Sequence, residues 1–142
     1  MKLGSPIKPY GKTKLIIEDS LPDWYKSNKN LSIFILRYFN PVGAHYSGKI
    51  CEDLGGIPNN LIPYISKTAK GKLEVLSIFG DDYETHDGTW KRDFIHVSDL
   101  ARDHLFALEK CLKDKGLHTY NLGIGKGTLV LELISALSDT FQ

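Results

Sequence analysis

Apolar positions along the chain fall into alternating helix-like and strand-like stretches. Leu15, Ile17, Leu21 and Trp24 lie close to helical spacing, which predicts an amphipathic helix over residues 13–25. Pro22 interrupts it, and an interior proline costs about 3 kcal/mol, so a kink or two shorter helical pieces are expected. Residues 31–39 form a nearly continuous apolar run of strand length, the pattern of a strand covered on both faces. Asn40-Pro41 is expected to stop it. Residues 42–60 show neither period and are punctuated by Gly43, Gly48, Gly55, Gly56 and Pro58; unstructured stretches beyond about 12–15 residues are uncommon unless functional or disordered.

Residues 61–70 read as a helix with Asn60 as N-cap, Pro63 in the first turn and Gly71 as the stop. Residues 73–79 predict a second strand, 80–92 a polar loop, and 94–97 a short third strand. Ser98 is placed to cap a helix whose apolar positions Ala101, Leu105, Leu108 and Leu112 repeat at three and four residues, with Gly116 beyond its end. Residues 118–122 give a fourth strand and 123–128 a glycine-rich loop. A last helix follows, with Val130, Leu133, Ile134, Leu137 and Phe141 on one face. Strands alternating with helices predict an α/β layout. The turn that opens a doubly wound sheet with its phosphate-binding glycines is not present, so the chain is expected to be part of a longer α/β protein.

The 142 residues and 16.0 kDa fit one domain, and 42% hydrophobic with 25% charged residues is globular composition. A chain of this size can bury roughly two-thirds of its unfolded surface without staples. Cys51 and Cys111 are too few for a disulfide framework. A net charge of +1 argues against a dedicated nucleic-acid binder, so any phosphate must be met locally. No apolar run approaches the roughly 20 residues that span a bilayer, and no stretch has signal-peptide form, so a reducing, cytoplasmic compartment is expected.

Candidate chemistry is sparse. Tyr10 and Lys14 are four apart and stack on one helical face, and an ammonium within about 4–6 Å of a phenol favours its ionised form. A tyrosine so placed can accept a proton near neutral pH, although the spacing alone is common on ordinary surfaces. Gly11-Lys12-Thr13 lacks the earlier glycine of a phosphate loop, since Pro6 stands there. Gly123, Gly125 and Gly127 miss the dinucleotide spacing by one residue, so a tight strand-to-helix turn is the better reading. The histidines and cysteines show no metal-ligand spacing, and Asp81, Asp82, Glu84 and Asp87 lack the order of a calcium loop. Arg92 can fork onto a diphosphate, and Asn40 and Asn60 can offer amides at the rim of a sheet. Such rims, outside the carboxyl ends of strands, are where α/β folds bind ligands.

The segments Pro9-Tyr10-Gly11-Lys12-Thr13-Lys14, Arg37-Tyr38-Phe39-Asn40-Pro41-Val42-Gly43-Ala44-His45, Gly56-Ile57-Pro58-Asn59-Asn60-Leu61 and Arg92-Asp93-Phe94-Ile95-His96-Val97 together resemble the UDP-glucose 4-epimerases, a family of extended short-chain dehydrogenases/reductases. Phe79-Gly80-Asp81-Asp82-Tyr83 and Tyr120-Asn121-Leu122-Gly123 extend the likeness along nearly the whole chain. The resemblance implies the C-terminal portion of an NAD(P)-binding Rossmann-like fold with part of its substrate-binding domain. Residues 1–142 would then form a single α/β fragment, holding the end of the NAD-binding domain and much of the UDP-sugar-binding region but not the glycine-rich half.

The implied reaction interconverts UDP-glucose and UDP-galactose by moving a hydride from carbon 4 of the hexose to bound NAD and back. By the resemblance, Tyr10 is the proton acceptor, Lys14 binds the cofactor ribose, and Phe39 lies near the nicotinamide. Asn40, Asn60, Leu61 and Arg92 would hold the UDP-sugar, with Arg92 on the diphosphate, while Ser77 and Phe79 edge the uridine. No nucleic acid or membrane partner is implied; a homodimer of the longer parent is. Pro22 and Trp90-Lys91 are atypical for their positions, and the chain by itself is expected to be inactive. The alternatives are a non-catalytic UDP-sugar-binding remnant and a nucleotide-sugar dehydratase relative, the latter needing further acid and base residues beside the dyad.

Overall fold

The computed structural model describes residues 6–52 and 55–140. They form helix α1 (Pro9–Ser27), strands β1 (Ser32–Tyr38) and β2 (Asn40–Val42), helix α2 (Leu61–Ala69), strand β3 (Lys91–His96), helix α3 (Val97–Lys113), strands β4 (Gly116–Leu122) and β5 (Gly127–Leu129), and helix α4 (Val130–Thr140). Two compact units result, one running up to Arg37 and including Arg102–Asn121, the other built from Tyr38–Ala101 and the segment from Leu122. No helix among the described residues is long and apolar enough to cross a membrane.

In the first unit α1 starts four residues before its predicted opening. Pro9 suits the first helical turn, where its missing N–H has no partner to lose. Pro22 lies inside α1, yet the helix remains one element rather than two pieces, since a single lost bond breaks neither end of a 19-residue helix. β1 pairs with β4. Phe34 stands 4.7 Å from the His118 ring and 5.9 Å from that of Tyr120, centroid to centroid, so these three share one face of the pair. Arg37 donates from Nε and Nη2 to Glu18 Oε1, tying β1 to α1 through a half-buried ion pair. At the other end of β1, Ser32 donates to the Asp114 carbonyl at 3.1 Å.

The expected apolar core does not form in this unit. The β1 run is only half-buried rather than covered on both faces. The α3 stripe is open to solvent, with Leu105, Leu108 and Leu112 all exposed and Leu112 at 78%. A helical apolar stripe records which face seeks cover, and the described residues supply none there.

In the second unit β2 pairs parallel with β3, with Asn40 opposite Phe94 and Val42 opposite His96. β3 pairs antiparallel with β5, with Arg92 opposite Thr128. β1 thus ends just before Asn40-Pro41, as expected, and the same dipeptide begins a further strand. Proline, which has no N–H, is tolerated there because β2 is an edge strand. The buried apolar residues of the described chain, Ile65, Ile95 and Leu129, all belong to this unit.

Other departures have local causes. Residues 73–79 form no strand: no described segment offers them a ladder, and Val75 and Ile78 are exposed. An apolar run is a strand only when something pairs with it. The third strand is longer than its apolar part because β5, unpredicted, pairs with residues 91–93. Asn60 occupies the N-cap position of α2 in extended conformation but makes no side-chain capping bond. α3 is capped by His96, whose Nδ1 accepts from the Ser98 N–H at 3.2 Å, so Ser98 is capped rather than capping. The His96 ring fills the space beside Gly43 (φ +89), where a Cβ would collide with it. Phe141, assigned to the last apolar stripe, lies outside the described residues.

α4 is fastened at its start by one side chain of its own first turn and one remote side chain. The Leu129 N–H donates to Glu132 Oε2 at 3.0 Å and the Val130 N–H to Thr89 Oγ1 at 3.1 Å. Thr89, only 2% exposed, also donates from Oγ1 and from its backbone N–H to Asp87 Oδ1, each at 2.8 Å. Burial pushes the Asp87 carboxyl up, but the bonds from Thr89, the neighbouring His86 and Thr85 outweigh it and hold the group below the usual carboxylate range. The stability this supplies is present above the ordinary carboxylate pKa and is lost as pH falls through the lowered value. Thr89→Val, which orphans the Val130 N–H, is expected to destabilise the unit by about 1–3 kcal/mol. A urea titration reads this as a lower midpoint; an unmoved midpoint would show that the clip contributes nothing.

Candidate active site

The first unit carries Tyr10 and Lys14 in the opening turns of α1. Their spacing places the Lys14 Nζ 5.3 Å from the centroid of the Tyr10 ring. Tyr10 is 73% exposed and Lys14 is exposed, so a ligand can reach both. Thr13 donates its hydroxyl to the Tyr10 carbonyl at 2.8 Å, a local bond within the same helical turn. The expected geometry of the pair is present, and one helix supplies it.

The second unit gathers a hydrogen-bonded group at the start of β2 and β3. Asn40 donates from Nδ2 to the Asp93 carbonyl at 2.8 Å and accepts from Arg92 Nη1 at its Oδ1, 3.2 Å away. Both ends of the amide are thereby used, which fixes its orientation. The guanidinium carbon of Arg92 also lies 5.5 Å from the centroid of the Trp90 ring, within the range of a cation–π contact. Arg92 is exposed, and a guanidinium has five N–H donors, so most remain for a ligand. Asn40 and Arg92 stand at the amino ends of β2 and β3, not at carboxyl ends.

Phe39 connects this group to the glycine-rich turn. Its N–H donates to the Leu122 carbonyl at 3.0 Å, and a Cβ on Gly123 would come within 2.5 Å of its ring. Asp93 then uses both oxygens on the turn: Oδ1 accepts from the Ile124 N–H at 3.0 Å and Oδ2 from the Gly125 N–H at 2.9 Å. Amides that face a carboxylate are not a cradle for a phosphate, so the turn is structural, as its spacing predicted. It joins strand to strand, however, not strand to helix. Among the described residues, then, no glycine turn is left open for a pyrophosphate. Nor do those residues bring three or more His, Cys, Asp or Glu side chains into a metal-holding group.

The remaining predicted positions are not drawn into the Asn40–Arg92 group. Asn60 and Leu61 start α2, while Ser77 and Phe79 lie on the unpaired segment before the polar loop, all but Leu61 exposed and Phe79 at 86%. Sequence reasoning missed Asp93 as the anchor of the glycine turn. A signal was available, since a glycine turn with free amides needs a nearby acceptor and Asp93 is the acid adjoining Arg92.

A family model described as the NAD dependent epimerase/dehydratase family matches residues 2–123. The chain belongs to that family. Among curated relatives of this epimerase/dehydratase chain, the UDP-glucose 4-epimerase of Pasteurella multocida is 58% identical over 135 residues, covering 95% of this chain and 40% of the relative. The UDP-glucose-4-epimerase of Stenotrophomonas maltophila, solved with NAD and formylated UDP-arabinopyranose, superposes with a TM-score of 0.92 at 49% identity, covering 96% of this chain and 40% of that one. The Bifidobacterium longum enzyme, solved with NAD+ and UDP, gives 0.91 at 47% identity, covering 99% and 42%. The fold is thus the Rossmann-like α/β fold of this family, and the chain spans about 40% of the length of the relatives it matches.

Proposed function

We propose that the chain is the part of a UDP-glucose 4-epimerase that holds its proton-transfer pair and its diphosphate arm. The observation that carries this is the Tyr10–Lys14 pair, with the ammonium 5.3 Å from the phenol ring on one exposed helical face. The 58% identity to an enzyme of that name supports the substrate class. Tyr10 takes the proton of the sugar 4-hydroxyl as the carbon is oxidised and returns it as the carbon is reduced. Lys14, beside the ring, holds the ribose hydroxyls of the cofactor. NAD, when bound, supplies the hydride acceptor and donor. Phe39 flanks the nicotinamide side of the site.

Arg92, oriented by Asn40, takes the diphosphate through charge-assisted N–H donors. Asn60 and Leu61 at the start of α2 complete the hold on the UDP-sugar, and Ser77 and Phe79 edge the uridine. The domain reading is unchanged: residues 1–142 hold the end of an NAD-binding domain and much of a UDP-sugar-binding region. The two free cysteines agree with a reducing, cytoplasmic setting. A homodimer belongs to the same reading of the longer protein.

The test places this chain in the Pasteurella multocida enzyme, in place of the stretch it matches, and varies Arg92. Arg92→Ala is expected to raise the KM for UDP-galactose with a smaller change in kcat, because the guanidinium already holds the diphosphate in the ground-state complex. A KM left unchanged would remove Arg92 from the site. A UDP-binding hybrid that is folded and fails to turn over would favour the non-catalytic reading.

A further inference from the structure

Arg92 is held from two sides, and only one of them is a hydrogen bond. Its Nη1 donates to Asn40 Oδ1 at 3.2 Å, while its guanidinium carbon stands 5.5 Å from the centroid of the Trp90 ring. Trp90 immediately precedes β3 and Arg92 is its second residue, and the contact itself places the two side chains on the same side of the chain. The ring is itself fixed. Tyr83 meets it edge-on, with centroids 4.8 Å apart and planes at 81°, the arrangement that aromatic quadrupoles favour. Tyr83 is held in turn by its N–H bond to the Gly88 carbonyl at 3.0 Å and by packing against Gly80 (φ +84), where a Cβ would come within 2.6 Å of the ring. A line of contacts therefore runs from the polar loop through Tyr83 and Trp90 to the guanidinium and on to Asn40.

We infer that Trp90 is a positioning residue for the diphosphate arm: its ring face presets the Arg92 guanidinium, and the loop carrying Tyr83 sets the ring. This rests on the reading of Arg92 as the diphosphate ligand. A free arginine side chain loses several rotamers on binding, and a planar cation laid on a fixed ring has lost most of them beforehand. Trp90 is 46% exposed, so its contact with the cation has the strength of an exposed cation–π pair, which corresponds to roughly a two- to fivefold effect on binding.

The test uses the chain carried within the Pasteurella multocida enzyme, in place of the stretch it matches, and two probes, UDP and uridine, titrated by 15N NMR with the Arg92 Nε–H resonance followed directly. Trp90→Leu is expected to shift that resonance in the free protein, because the ring current is gone, and to weaken UDP binding about two- to fivefold. Uridine binding should not change, since it has no diphosphate. Trp90→Phe, which keeps a ring face, should stay within about twofold of the parent. In an Arg92→Ala background Trp90→Leu should have no further effect on UDP. The inference is overturned if Trp90→Leu weakens uridine equally, which marks a merely structural role, or acts as strongly without Arg92, which marks direct contact with the ligand. It is also overturned if UDP binding is indifferent to Trp90 while sensitive to Arg92. If Arg92→Ala itself changes nothing, the reading of the site fails, and the positioning role falls with it.

Discussion

Tyr10→Phe, made in the chain carried within the Pasteurella multocida enzyme, is expected to lower kcat by about 100- to 10,000-fold, the usual contribution of a positioned proton-transfer group. UDP affinity should hardly move. The substitution deletes one hydroxyl from a ring that is 73% exposed, so no packed core is disturbed. The ring and its contact with Lys14 remain, since the cation lies over the ring rather than on the oxygen. On the proposed reading the phenol exchanges a proton with the sugar 4-hydroxyl, whereas Arg92 holds the diphosphate, so kcat and binding should separate. Steady-state kinetics with UDP-galactose, set beside UDP titration, read the two quantities independently. Turnover at the parent rate would remove Tyr10 from catalysis.

The second large effect concerns the chain alone, which is expected to show neither tightly bound NAD nor epimerisation. The Ile124 and Gly125 amides of the glycine turn are taken by Asp93, the first amide of α4 by Thr89 and the Leu129 amide just before it by Glu132, so these backbone donors are already occupied. The first unit adds a second reason, since none of its described apolar side chains is buried and its α3 stripe is open. Burying one such side chain contributes about 1.5–3 kcal/mol, and the described part of the first unit has none of these contributions to set against its ordering entropy. Its amides should exchange rapidly, and its open apolar faces should drive self-association. Absorbance of the purified chain for cofactor, exchange mass spectrometry and a UDP-galactose assay check these together. Stoichiometric NAD with turnover would show that the described residues suffice.

The parts of the fold legible in the sequence were those set by local rules. The 3.6-residue period placed α2, α3 and α4 within a few residues, and Tyr10 with Lys14 follows from helix geometry once α1 exists. What escaped depends on partners distant in the chain. The run at 73–79 has strand composition but no described segment to pair with, while residues 127–129 become β5 only because β3 lies alongside. The apolar stripes of β1 and α3 correctly record a preference for cover, yet cannot say whether the same chain supplies it. Of the candidate site residues, Arg92 was legible as a type suited to a diphosphate and Asn40 as an amide donor at the rim of a sheet. Their mutual bond and the anchoring of the glycine turn by Asp93 are products of strand register, whereas the Trp90 ring meets the guanidinium from two residues away on the same stretch of chain.

The most direct test of the central claim is the rate of UDP-galactose conversion by the Pasteurella multocida enzyme carrying this chain in place of its matching stretch, measured on folded, NAD-loaded protein. Conversion within about tenfold of the parent enzyme, abolished by Tyr10→Phe, is the predicted result. A folded, NAD-loaded hybrid that binds UDP but converts no UDP-galactose would contradict it.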